Sequence, residues 1–261
     1  MAAPAPSPST ERRALSATAE AISRAADELA RYRAAAGRDA VTAVRRLEAV
    51  GTSLSSAVPG VRGLHLAAVY PNFFQQEEKP SNLKAGYWTI ITLNGEQGWF
   101  GGNARLGGPG RAKDPVTAAG AETLAARQAF VNVMAGILPG WLQESERFTF
   151  TYRGIVDAGP DKGVLLGIDG PNSYAARLLL DGTTHLPRHL VTERQRGAAT
   201  AAAALNVTYG DYRSVHGVLL PHLILRENDT GVHVRWTIAN YTINGNIPLT
   251  AFAKPAARRG R

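Results

Sequence analysis

The sequence predicts an α+β protein: a strongly curved antiparallel sheet of about ten strands, a half-open β-barrel, covered by helices. Three observations carry this. The second half of the chain alternates apolar and polar residues with period two, punctuated by Asp, Asn and Gly turns. A long helical pattern near the middle is apolar over too wide an arc for a surface helix, so it belongs inside. No internal repeat or linker divides the chain, which points to a single domain over 11–254.

The elements follow in order. Residues 1–10, rich in Ala, Pro and Ser, read as a disordered tether. A helix is expected over 11–36, with Leu15, Ile22 and Leu29 seven apart and Gly37 as its stop. Asp39 reads as the N-cap of a short second helix carrying Val41, Val44 and Leu47. The period then becomes two. Leu64, Leu66, Ala68 and Tyr70 share a face in 62–70. In 86–93, Tyr87, Thr89, Ile91 and Leu93 oppose Trp88, Ile90 and Thr92, and both faces are largely apolar. Asn94-Gly95 is a hairpin signal leading to Trp99-Phe100.

Residues 101–113 are a Gly-rich loop, and Asp114-Pro115 is a helix start. The helix expected over 115–138 carries Leu124, Val131, Met134 and Leu138 beside Phe130, Val133 and Ile137, and Leu138-Pro139-Gly140 stops it. Strands are expected over 148–156, 164–169, 174–180, 186–193, around 205–209, 218–226 and 232–243. Residues 255–261 form a basic tail with Arg258, Arg259 and Arg261, and the Ala-rich stretch 198–204 has no evident role.

Composition narrows the chemistry. The absence of cysteine excludes disulfides, thiol nucleophiles and Cys-ligated metals. A net charge of +8 favours anionic surfaces such as phospholipid headgroups. There is no apolar run long enough to read as a membrane-spanning helix. Met1 leads into Ala/Pro/Ser without a basic-then-apolar block, so the chain is expected to begin after a removed export signal.

Catalytic, cofactor and metal motifs are not found. There is no G-x-S-x-G or H-E-x-x-H. The GGPGRAKD loop at 107–114 lacks the Gly-Lys-Ser/Thr ending of a phosphate loop. His185 and His189 have a helical metal spacing, but Pro187 between them and the strand-like surroundings remove that geometry. Asp157, Asp161, Asp169 and Asp181 all fall at turns, where local hydrogen bonding favours Asp. Arg235-Trp236 and Tyr212-Arg213 are the nearest approach to a nucleic-acid surface, and Trp236 falls on the apolar face of its strand, so no nucleic-acid partner is expected.

Three stretches resemble a known family. They are Asp181-Gly182-Thr183-Thr184-His185-Leu186-Pro187-Arg188, Tyr209-Gly210-Asp211-Tyr212-Arg213 running on to Pro221, and Ile243-Asn244-Gly245-Asn246-Ile247-Pro248 with Phe252 beyond. Together with Leu29-Ala30-Arg31-Tyr32, Gly37-Arg38-Asp39-Ala40, Val44, Leu47 and Gly51-Thr52, they resemble LolA-like proteins, the outer-membrane lipoprotein-sorting proteins and their relatives. The resemblance covers roughly 22–55 and 145–253. It implies a half-open barrel with helices as a lid, a cavity for acyl chains, and a place in the periplasm or cell envelope. The middle of the chain, 95–140, departs from the pattern, so cargo does not carry over.

The function expected is therefore that of a non-enzymatic, monomeric carrier of a lipid, lipoprotein acyl chain or other hydrophobic ligand, with transient contact to anionic membranes. Phe130, Met134 and Ile137 are expected to form the lid. Trp88, Ile90, Trp99, Phe150, Leu178 and Trp236 are expected to form the wall. The alternatives are an envelope protein-interaction module of the same fold, and an enzyme whose polar cluster lies inside the cavity.

Overall fold

The structure is a computed structural model. It describes residues 8–80, 88–95, 97–102, 119–157, 162–171, 174–192 and 204–254. Most of the tether, the Gly-rich loop beyond 102, the helix start at Asp114-Pro115, nearly all of the Ala-rich stretch and the basic tail lie outside these residues.

Among the described residues twelve strands form one antiparallel sheet, where about ten were expected. They are β1 (Arg46–Ser55), β2 (Val61–Val69), β3 (Phe73–Pro80), β4 (Thr89–Asn94), β5 (Gln97–Gly102) and β6 (Thr149–Val156), followed by β7 (Gly163–Gly170), β8 (Tyr174–Asp181), β9 (Pro187–Thr192), β10 (Leu205–Val215), β11 (Val218–Asn228) and β12 (His233–Ile243). Their order is β5-β4-β3-β2-β1-β12-β11-β10-β9-β8-β7-β6. Two meanders thus run in opposite directions and join where β1 pairs β12. The sheet is not closed, and β5 and β6 are its edges.

Among the described residues four helices accompany it: α1 (Pro8–Ala36), α2 (Asp39–Thr42), α3 (Ala119–Ile137) and α4 (Pro139–Gln143), with a short 3-10 turn at Leu249–Phe252. α1 packs on β6 and β11, and α3 packs on β4 and β5 as well as on β8, β9 and β11. This double reach measures the curvature. In a flat sheet β5 and β9 would lie about 38 Å apart at ~4.8 Å per strand. A helix the length of α3 spans only about 28 Å. The sheet must curl to bring both wings onto one helix.

Two strands depart from the sequence expectation. Leu47, expected on the second helix, lies in β1, because α2 ends at Thr42. β3 was not expected at all, since Phe73–Pro80 reads FFQQEEKP and lacks apolar alternation. α3 ends at Ile137, Leu138 breaks the helix, and Pro139 opens α4 at its first turn.

The stretches that carry the family resemblance prove to be structural joints. Asp181 Oδ1 accepts hydrogen bonds from the Thr183 and Thr184 amides and the Thr184 hydroxyl at 3.0, 2.8 and 3.0 Å, and Arg188 Nη1 reaches Oδ2 at 3.0 Å. This sets the β8–β9 turn. Asn244, at φ 54°, ends β12 and accepts from the Arg45 and Arg46 amides, stapling the start of β1. Tyr212 donates to the Pro187 carbonyl and Tyr241 to the Pro221 carbonyl, each at 2.6 Å. Gly37, at φ 129°, lets the end of α1 meet the β10–β11 turn, where a Cβ would fall 2.2 Å from the Gly217 carbonyl oxygen.

The Asp181 joint gives a pH-dependent prediction. Partial burial pushes this carboxyl's pKa up, but the hydrogen bonds from Thr184, Thr183 and Arg188 outweigh it, and the net shift is downward. A lowered folded-state pKa contributes stability above the unfolded carboxylate's pKa, and this is lost as pH falls through the folded value. Asp181→Ala should cost about 1–3 kcal/mol at pH 7. The gap to the parent should narrow in urea titrations carried out near pH 3; a gap independent of pH would count against the ionised joint.

Candidate functional site

The strand registers sort side chains onto two faces. On the inner, concave face Phe74 lies beside Ala68 and Leu93, Leu66 beside Ala49, and Trp236 beside Ile224 and Ser53. In the other wing Leu178 lies beside Leu190 and Leu166, and Phe150 beside Ile168. One buried core joins both wings to α3. A second, small core on the outer face holds Ala67, Ile247 and Phe252, with Phe73 against Phe252 at 5.7 Å between centroids.

Six of the nine expected site residues meet in the concave core: Phe130, Met134 and Ile137 from α3, and Phe150, Leu178 and Trp236 from the wall. Three do not. Ile90 pairs Gly101 and Glu77, and Trp99 pairs Thr92, which places both on the outer face. Trp88 precedes β4, two residues from Ile90, and lies outside the concave core. Both faces of β4 are apolar, so alternation alone could not choose between them; Ile91 and Leu93 are the ones that face inward.

α3 fills the trough. Met134 and Ile137 are each 1% exposed and Phe130 4%. Phe130 meets Phe74 edge-on at 5.8 Å. Three tyrosines from the surrounding elements fix the helix backbone and its one inward amide. Tyr209 donates to the Asn132 carbonyl at 2.9 Å, Tyr174 to Asn132 Oδ1 at 2.9 Å, and Tyr32 to the Ile137 carbonyl at 3.4 Å. Burial raises the pKa of all three phenols, keeping them protonated donors. Sequence reading missed this set, although Tyr at inward positions of apolar strands, beside a helix with one central Asn, is the signal that marks it.

Beside α3 the trough opens as a narrow cleft of about 70 Å³. It lies where the β2–β3 and β4–β5 turns face the start of β6 and the β7–β8 turn. Leu93, Phe130, Val131, Phe148 and Tyr174 form its greasy lining, with Arg127 and Arg147 also among its walls. A second, more open hollow lies where the end of β1, the start of β10, the end of β11 and the start of β12 meet; outer-face residues such as Leu54, Thr208, Leu225 and Arg235 make most of its lining, beside Ser55, Arg226 and Val234.

A polar cluster interrupts the apolar wall near that second hollow. Glu78 Oε2 accepts from Ser53 Oγ at 2.7 Å and pairs with Arg62 Nη2 at 2.8 Å. Arg62 Nη2 also donates to Ser53 Oγ at 3.2 Å, and Gln76 Nε2 to Glu78 Oε1 at 3.2 Å. All four residues are buried. None was singled out from sequence.

A curled antiparallel sheet of two joined meanders, folded around one buried helix, defines the class. Its solved counterparts are LolA-type folds. A LolA superfamily protein from Nitrosomonas europaea superposes with a TM-score of 0.53 at 9% identity, over 88% of this chain and 97% of its own. A domain assigned to outer membrane lipoprotein sorting, from Vibrio parahaemolyticus, gives 0.52 at 11% identity, over 89% and 96%. A DUF1329 family protein from Desulfovibrio piger gives 0.55 at 8%, over 89% and 97%. No family model and no curated protein matches the sequence. At these identities the likeness is one of fold.

Proposed function

We propose that this chain is a non-enzymatic carrier of the cell envelope, which shelters the acyl part of a lipid or lipoprotein between the concave sheet and α3. The observation that carries the reading is the apolar cleft beside α3, whose lining of Leu93, Phe130, Val131, Phe148 and Tyr174 runs on into the concave core. Each methylene moved from water into such a lining contributes about 0.8 kcal/mol, so half an acyl chain gives useful affinity. The LolA-type fold supports the same reading. In it the sheet is a half-open barrel and α3 the lid, held by three tyrosine hydrogen bonds worth about 1 kcal/mol each. Moving the lid also uncovers Phe130, Met134 and Ile137, at roughly 1.5–3 kcal/mol each, so the ligand's apolar chain must replace the contacts they lose.

The test is mass spectrometry of an organic extract of the protein, purified gently from an envelope fraction. A stoichiometric acyl-bearing molecule is expected. Met134 is too deeply buried to serve as the probing variant, since an Asp there would leave a carboxylate without a partner in the core. Phe148 is better placed, because it is partly buried, lines the cleft and stacks edge-on against Tyr174 at 6.2 Å. Phe148→Glu should reduce acyl retention at least tenfold while the protein still unfolds cooperatively. Parent protein that stays free of acyl material even after incubation with lipid would sink the carrier reading.

A further inference from the structure

The buried polar cluster has a half-buried extra cation beside it and three polar atoms to spare. Arg62 and Glu78 balance each other. Arg226 is the surplus: its register puts it on the concave face beside Val234, and its guanidinium lies 4.5 Å over the Trp236 ring. Burial lowers its pKa while Glu78 pulls it up, and a guanidinium stays charged under such shifts. Trp236 pairs Ser53 in register, so Arg226, Trp236, Ser53, Arg62 and Glu78 form one continuous set across five strands. Within it Arg62 Nε, Trp236 Nε1 and Gln76 Oε1 are buried and have no hydrogen-bond partner among the described residues. Arg62 is 7% exposed, Gln76 4% and Trp236 0%. Unpaired polar groups are costly in an apolar wall, and a fold that keeps them has a use for them.

Resting on the carrier reading, we propose that this cluster seats the anionic end of an amphiphilic ligand, a carboxylate or phosphate. Arg226 and the free N–H groups of Arg62 and Trp236 meet the anion, and its apolar chain follows the concave wall. Gln76 Oε1 accepts from a hydroxyl or amide next to the anionic group. Arg226 is only half-buried and lies two residues from the end of β11, so the charged end keeps access to water and is never stranded in the core. The trough then holds two kinds of wall: the greasy cleft beside α3, and a cationic stretch across β11, β12, β1, β2 and β3.

The experiment is calorimetric titration of the delipidated full chain with dodecanoate, dodecyl phosphate, dodecanol and inorganic phosphate, each below its aggregation limit. The two anionic amphiphiles should bind at least tenfold tighter than dodecanol, and inorganic phosphate should bind far more weakly than dodecyl phosphate. Arg226→Met should bring the anionic and neutral ligands within about twofold of each other. Arg226→Lys should keep part of the preference, and Lys254→Met, an equal loss of charge at an exposed site, should keep all of it. Dodecanol binding as tightly as dodecanoate, or a preference untouched by Arg226→Met, would overturn the seat and leave the carrier reading standing. Inorganic phosphate binding as tightly as dodecyl phosphate would overturn it too, as a plain anion site. If no amphiphile binds at all, the carrier reading falls with it.

Discussion

Gly136→Ala should be among the most damaging single-methyl substitutions in this protein. A Cβ built at Gly136 falls 1.8 Å from Cζ of Tyr209 and 2.0 Å from Cε1. Neither side can give way cheaply. Gly136 lies near the buried end of α3, and Tyr209 is 4% exposed on β10 with its hydroxyl on the Asn132 carbonyl. Helix propensity alone would favour Ala over Gly by ~1 kcal/mol. Overpacking against a fixed ring outweighs that, and a net loss of roughly 3 kcal/mol or more is expected. For a chain this long that lowers the melting midpoint by about 6–12 °C. The cause can be isolated. Tyr209→Val removes the ring atoms that clash and keeps a residue suited to a strand. In that background Gly136→Ala should cost under about 1 kcal/mol, a coupling of at least ~2 kcal/mol. Additive losses would mean that something other than the ring contact excludes a side chain there.

The strands that the sequence revealed and those it hid differ in what they face. β6 through β12 were legible because their inward positions are apolar and their turns carry Asp, Asn or Gly. The resembling stretches were legible for the same reason: Asp181, Asn244 and Tyr212 hold turns and strand ends by hydrogen bonds. β3 was hidden because its inward positions are Phe74, Gln76 and Glu78, so two of three break the apolar alternation. β1 was blurred by Gly51 and Ser53, and Ser53 is again an inward residue of the polar cluster. Pattern reading therefore failed where the wall stops being a generic core, which is where a functional demand is expected to override local rules. Ile90 and Trp99 were misplaced for a different reason. Their strands are apolar on both faces, and only the register with β3 decides which face is inner.

That override leads to the second large effect. Arg62→Met should destabilise the fold by about 3–5 kcal/mol, because it leaves the Glu78 carboxylate buried without its cation. Glu78→Met should be similarly harmful through the stranded guanidinium. The double variant Arg62→Met/Glu78→Met should recover most of the loss, falling short of the parent by about 1 kcal/mol each for Ser53 and Gln76, which lose their acceptor. Urea unfolding with unchanged m-values would measure this directly. A network kept for stability would make the double variant at least as poor as either single one. Recovery in the double variant would mean that an apolar wall serves the fold nearly as well, so selection for stability does not account for charge at this depth. The same double variant removes a balanced pair and keeps Arg226, so it should still prefer dodecanoate to dodecanol, with the preference weakened by loss of the Arg62 Nε–H donor. Stability regained together with a weakened preference would assign Arg62 to the ligand rather than to the fold.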